Sequence, residues 1–184
     1  IVVSQNSKQF NESPQRWSYT LYDVLGRVVE AGEKVDDGAT NPEFSSIFGS
    51  VVSGHYNPKV VDDTKLNDWI SGDGQRIEVT HSYYDITNAA IAAELPVSFS
   101  QNQLNMRKRI SSVTYEKVFD GFDDTYDHAT HYDYDIHGNV KKLHCQIEKF
   151  GAVEIEYQYD LITGNVNEVA FQKGTKDQFF HRYN

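Results

Sequence analysis

One cysteine and one methionine are all that 184 residues hold of these two types, and basic residues are outnumbered 17 to 27 by acidic ones. Cys145 alone can close no internal disulfide, so the chain is not a disulfide-built scaffold. The formal charge of -10 argues against a nucleic-acid partner, because phosphate binding needs concentrated Lys and Arg. Apolar runs are only a few residues long, so no segment reads as a transmembrane span. Ile1-Val2-Val3-Ser4-Gln5 lacks Met and the basic and apolar segments of a signal peptide, and is expected to begin within a longer chain. Neither a Walker A sequence nor a dinucleotide fingerprint occurs.

What is abundant is aromatic. Twelve Tyr and ten Phe, with Val, Ile and Thr, suit a pleated, half-buried surface, and the expected fold class is all-β. One turn pattern recurs. Tyr22-Asp23-Val24-Leu25-Gly26, Tyr134-Asp135-Ile136-His137-Gly138 and Tyr159-Asp160-Leu161-Ile162-Thr163-Gly164 line up, with Tyr84-Asp85-Ile86-Thr87-Asn88 as a degenerate copy. Asp135 and Asp160 are 25 residues apart, and Asp85 precedes Asp135 by 50, twice that period. In a type I turn, Asp at the first position accepts backbone N–H groups ahead of it. Gly at the fourth takes the left-handed conformation of a bulge. Asn88 stands where Gly is expected and tolerates φ > 0 next best, and Thr163 widens the third loop. These residues are read as turn formers, not as catalytic carboxylates.

Period-two alternation before the turns, as in Trp17/Tyr19/Leu21, Ile77/Val79/His81/Tyr83 and Val153/Ile155/Tyr157/Tyr159, predicts tandem antiparallel β-hairpins. Phe150-Gly151-Ala152 and Lys173-Gly174-Thr175 predict two further connections, and residues 107–119 a long strand. Residues 1–184 are read as one repeat segment, interrupted over 32–75 by an irregular insert. Within it, Asp62-Asp63-Thr64 offers an N-cap for a short helix near 63–71, docked by Trp69 and ended by Gly72.

The Tyr-x-Tyr-Asp-x-x-Gly-Asn/Arg-Val units resemble the YD repeats of the Rhs (rearrangement hotspot) family, which also occur in insecticidal toxin-complex proteins, wall-associated proteins and teneurins. The likeness covers roughly residues 16–31 and 76–184 and rests on the motifs around Asp23, Asp135 and Asp160. It implies a segment of a curved β-sheet shell, in a secreted or surface-displayed bacterial protein, enclosing or displaying a C-terminal toxin or effector. It implies a structural role and no enzyme activity. The expected partners are the remainder of a larger chain, or a neighbouring protein, at open sheet edges. The Asp-Pro-x-Gly element of the self-cleaving members is absent, so no autoproteolysis is expected.

Asp120, Asp123, Asp124, Asp127, His128, His131, Asp133, Asp135 and His137 form a metal-like cluster. On a strand, however, His128 and His131 point to opposite sides. A face displaying His131, Asp133, Asp135 and His137 to water is the simpler expectation, and no cofactor or metal is predicted. Gly49-Ser50-Val51-Val52-Ser53-Gly54-His55 lacks the Gly-x-Ser-x-Gly elbow. Cys145 reads as a small buried hydrophobe. Rows of Tyr beside Asp and Asn also suit glycan binding, the competing function, although Tyr lining a sheet with its hydroxyl in water explains them too.

Overall fold

A computed structural model describes residues 2–36, 63–72, 74–88, 91, 95, 96, 99, 103–122 and 125–183. Ten strands follow one another in sequence order in a single sheet: β1 (Val2–Ser4), β2 (Gln15–Tyr22), β3 (Val28–Asp36), β4 (Arg76–Tyr84), β5 (Ile110–Val118), β6 (His128–Tyr134), β7 (Val140–Ile147), β8 (Gly151–Tyr159), β9 (Val166–Phe171) and β10 (Phe179–Arg182). Two short helices complete the described elements, α1 (Ser7–Asn11) and α2 (Asp63–Ser71). The fold is all-β with a small helical insert, and it divides into two compact units at Val79.

In the first unit, period-two alternation puts Trp17, Tyr19 and Leu21 on one face of β2, and Trp69 and Ile70 of α2 pack there with Tyr19. Burying those two helix side chains is worth roughly 2–3 kcal/mol each. Gly32 lies directly across from Tyr19, and a Cβ there would come within 3.0 Å of the Tyr19 hydroxyl. Lys34, across from Trp17, rises from the same face and is buried. Its ammonium donates to the carbonyls of Trp69, Ile70 (3.2 Å) and Gly72 (3.0 Å) and lies 5.3 Å from the Trp69 ring centre. These carbonyls are the ones a helix C-terminus leaves without an intrahelical donor, and a cation suits the negative end of the helix. The helix predicted near 63–71 is there and docks through Trp69. Asp62, half of the expected cap, lies outside the described residues.

Helix α1 has a local cause in the sequence itself. Asn6 Oδ1 accepts the Gln9 N–H and Gln9 Oε1 accepts the Asn6 N–H, both at 2.9 Å, a reciprocal capping box. The Gln9 amide then ties the helix to Ser18 of β2 at 2.7 Å and Glu33 of β3 at 2.9 Å.

In the second unit, β5 to β9 pair in antiparallel register, with Ser112 opposite His131, His131 opposite His144 and His144 opposite Glu154. One face of these strands carries Ser112, His131, Asp133, His144 and Lys142. The other carries Tyr132, Leu143, Ile155, Tyr157 and Val169. The polar face is the better buried of the two: His131 and His144 are fully enclosed, whereas Tyr132, Leu143, Ile155 and Tyr157 are half-buried. Phe99 packs against both imidazoles, and Gln103, Leu104 and Asn105 bond along β6. This corrects the expectation that His131 and Asp133 display themselves to water. The two residues do share a face, but Phe99 and residues 103–105 of the β4–β5 connection return to it, which strand alternation alone does not reveal.

Candidate functional site

The repeated turn closes in the same way three times. Asp23 Oδ1 accepts the N–H groups of Leu25 and Arg27 at 2.8 and 2.9 Å, and its Oδ2 accepts Arg27 Nε at 2.7 Å. Asp135 Oδ1 accepts those of His137 and Asn139 at 2.8 and 2.9 Å, and its Oδ2 the Asn139 side-chain amide at 3.0 Å. Asp160 Oδ1 accepts the N–H groups of Ile162 and Thr163, at 3.0 and 2.7 Å, and the Thr163 hydroxyl at 2.9 Å. In each, the Gly N–H returns to the Asp carbonyl: Gly26 at 3.0 Å, Gly138 at 3.1 Å and Gly164 at 2.9 Å, with φ of 76°, 95° and 72°. At Gly138 the left-handed φ is the constraint on a side chain, and a Cβ would in addition require the Arg109 guanidinium to shift. The ladder bulges just before each motif Tyr, so that Tyr22 faces Val28, Tyr134 faces Val140 and Tyr159 faces Val166.

These bonds set the charge state of the turn. The Arg27 backbone N–H, foremost, holds the Asp23 carboxyl below its ordinary value, and the Thr163 N–H does the same for Asp160. At Asp135, partial burial pushes upward, but the Asn139, His137 and Gly138 donors together prevail and hold it low.

The motif Tyr does more than line the sheet. Tyr134 donates its hydroxyl to the carbonyl of Ile110, the first residue of β5, and Tyr159 donates to Val140, the first residue of β7, both at 2.8 Å. Each hydroxyl therefore bonds to the strand before its own at the level where that strand leaves its turn. Burial raises the pKa of both phenols.

The degenerate copy is built otherwise. Asn88 is not among the described residues with positive φ; the left-handed residue is Asp85 itself, at 71°. Asp85 donates its N–H to Arg109 at 3.1 Å and accepts the Lys108 N–H at 2.6 Å, and Tyr84 ends β4. Among the described residues no return strand follows at turn distance: the next described strand begins at Ile110. Asp85 therefore closes the mouth of a long connection rather than a tight turn.

That connection covers the buried polar row. Ser112 Oγ lies 2.8 Å from His131 Nδ1, and His144 Nδ1 lies 3.3 Å from Glu154 Oε1. The two imidazole centres are 6.2 Å apart. Neither Nε2 atom meets hydrogen-bond geometry with a partner among the described residues. Burial, aided by the neighbouring imidazole, lowers the pKa of His131 to about 4. Burial also lowers that of His144, against the pull of Glu154. Ser112 and His131 pair a hydroxyl with an imidazole, but both are sealed from solvent, so in this conformation the row presents no nucleophile. A cavity of about 400 Å³ adjoins it, lined by Phe99, Leu104, Asp133, Lys142, Glu156 and Tyr157, among others. Several of its charges are engaged: Lys142 lies 3.3 Å from Glu154 and 3.2 Å from Glu156, Lys173 lies 3.3 Å from Glu156, and Asp133 accepts the Leu104 N–H at 2.8 Å.

The suspected metal cluster does not converge. His128 is exposed and stacks on Tyr115, and Asp127 accepts the Lys117 N–H. His131 is enclosed, and His137 sits in its turn. Asp123, Asp124 and residues 49–55 lie outside the described residues. Among the described residues no three His, Cys, Asp or Glu side chains are grouped to hold a metal ion. Cys145 is only half-buried, 3.8 Å from the Thr130 hydroxyl. Compared with known proteins, the chain matches no family model and no curated sequence.

Proposed function

We propose that the chain is a structural segment of a secreted or cell-surface Rhs/YD-repeat wall, which encloses or displays a C-terminal toxin or effector domain and catalyses nothing itself. The observation that supports this most is the hydroxyl stitch: Tyr134 and Tyr159 each bond to the opening residue of the strand before their own. A side chain that recurs with the turn and ties strand to strand is a device for building a wall of set pitch. In this reading the remainder of a larger chain, or a neighbouring protein, pairs with the open sheet edges. At one edge, all four residues of β10 are exposed.

The test is protease protection in the parent protein. A domain carried after the repeats is expected to resist digestion in the intact protein and to become sensitive when Tyr134 and Tyr159 are both replaced by Phe. A carried domain digested equally fast in both proteins would overturn the proposal. Glycan binding through the aromatic rows is the competing reading. It draws on the near-parallel pairs Tyr132/Tyr134 and Tyr157/Tyr159, at interplanar angles of 13° and 27°. It ranks second because the Tyr134 and Tyr159 hydroxyls are already given to backbone carbonyls, and specific binding on a glycan array, lost with one Tyr row, would reverse the order.

A further inference from the structure

The row Ser112–His131–His144–Glu154 sets two histidines side by side where neither reaches water. Their surroundings differ in what they could do with a proton. His144 has a carboxylate, Glu154, against its Nδ1. His131 has the Ser112 hydroxyl on one side, the His144 ring on the other and the Phe99 ring 6.4 Å away. The charged groups on this face are Glu116 of β5, Asp133 of β6, Lys142 of β7, and Glu154 and Glu156 of β8; β5 adds the hydroxyls of Ser112 and Thr114, and β7 the Gln146 amide. Asp133 is committed to the Leu104 N–H, and both glutamates to Lys142. Glu116 stands four residues along β5 from Ser112, the residue opposite His131, so a proton arriving at His131 meets no free carboxylate directly across from it or beside it.

We propose that His131 and His144 form an acid-sensitive latch, on which protonation releases Phe99 and residues 103–106 from the β6–β8 face. The driving force is hydration: Glu154 stands against His144, but a His131 imidazolium, 6.2 Å from the His144 ring and under a phenyl ring, has no carboxylate in contact with it and gains by meeting water. Among the described residues, the contacts to be broken include the Phe99 ring against His131 and His144, the bonds from Gln103, Leu104 and Asn105 to Tyr132, Asp133 and Tyr134, and that from the Gln103 amide to the Ser111 carbonyl. The face uncovered carries the ion-paired cluster of Lys142, Glu154 and Glu156 and the cavity beside it. This inference stands whether or not the chain is part of a wall.

The direction follows from linkage. An exposed histidine titrates near 6.5, whereas enclosed His131 does so at about 4. Opening is therefore favoured as pH falls from 6.5 towards 4, about tenfold per unit for His131 alone, or roughly 300-fold across the window. The measurement is hydrogen–deuterium exchange of the intact chain at pH 7.5, 6, 5 and 4.5, with rates corrected for intrinsic pH dependence. Peptides covering residues 103–109 are expected to lose protection by about 100-fold between pH 7.5 and 4.5, while those from β2 and β3 keep theirs. His131→Gln, which keeps a partner for Ser112 but cannot be protonated, is expected to flatten that response to a few-fold. If that variant does not fold, Glu154→Gln decides. Without its carboxylate His144 is harder to protonate while enclosed, so acid opening should begin at a higher pH than in the parent. The proposal is overturned by wild-type protection that persists to pH 4.5. It is equally overturned by simultaneous loss in β2 and β3, by an unchanged pH response in His131→Gln or, where that variant does not fold, by an unchanged response in Glu154→Gln.

Discussion

In the unit ending at Val79, a buried Lys34 gives its protons to carbonyls at the end of α2, and a buried Glu30 accepts the Tyr19 hydroxyl and the Arg76 guanidinium, both at 2.6 Å. In the unit from Thr80 onward, His131, His144 and Glu116 are as deeply enclosed, yet the two imidazole Nε2 atoms and one Glu116 carboxylate oxygen lack hydrogen-bond partners among the described residues. Both units enclose polar side chains: Lys34 and Glu30 of the first are hydrogen-bonded, whereas His131, His144 and Glu116 of the second each keep one buried polar atom outside hydrogen-bond geometry among the described residues. A completed network adds stability that is steady with pH. An incomplete one makes stability depend on protonation, because burial then falls unevenly on the charged and neutral forms.

The largest way to break this contrast is Lys34→Met. Removing a buried ammonium strands the carbonyls of Trp69, Ile70 and Gly72, and an expected cost of about 4 kcal/mol should appear as an earlier denaturant midpoint. A loss below about 1 kcal/mol would mean the cap contributes little. Next comes Glu116→Gln. Burial raises the Glu116 pKa to about 7, so its contribution is fully present below its ordinary value near 4.5 and is lost as pH rises through 7. The Gln variant should therefore be more stable than the parent by roughly 3 kcal/mol at pH 8 and about equal at pH 4. Equal midpoints at pH 8 would show that the carboxyl is adequately solvated.

Smaller effects are expected at the turns, where bonding is complete but solvent is near. Asp135→Ala removes the acceptor for the His137 and Asn139 N–H groups and should cost about 1 kcal/mol by thermal unfolding. Because those donors hold the carboxyl low, the stability it contributes is present at neutral pH and lost only as pH falls through its depressed value. Tyr159→Phe should cost about 0.5 kcal/mol, the net worth of one hydroxyl-to-carbonyl bond to Val140. A cost above 2 kcal/mol there would mean the stitch couples the strands more tightly than a single bond can.

The turns were readable in the sequence because their chemistry is local. Asp23, Asp135 and Asp160 bond groups two to four residues ahead, and Gly26, Gly138 and Gly164 adopt a backbone that few other residues tolerate. Residues 63–71 were readable as a helix for a similar reason, since Trp69, Ile70 and a following Gly72 mark its last turn. The capping box of α1 was equally local, in Asn6 and Gln9, and was legible without being read. The Asp85 copy shows where such reading stops. Its tetrapeptide resembles the others, but a turn also needs a strand to return to, and that strand begins at Ile110.

The three tight turns at Asp23, Asp135 and Asp160 and the alternation of faces thus come from the sequence by itself, because each depends on residues a few positions apart. Which face is covered was decided only in the tertiary structure. His131 and Asp133 look like a solvated row by every local rule, and Tyr132, Leu143 and Ile155 like a core. The placement of Phe99 and residues 103–105 reverses their exposure. The tyrosine stitch belongs to the same category, since Tyr159 and Val140 are joined by register and not by any pattern that one strand carries alone. Burial is a property of what lies opposite, and a chain's periodicity specifies two faces without saying which will meet water.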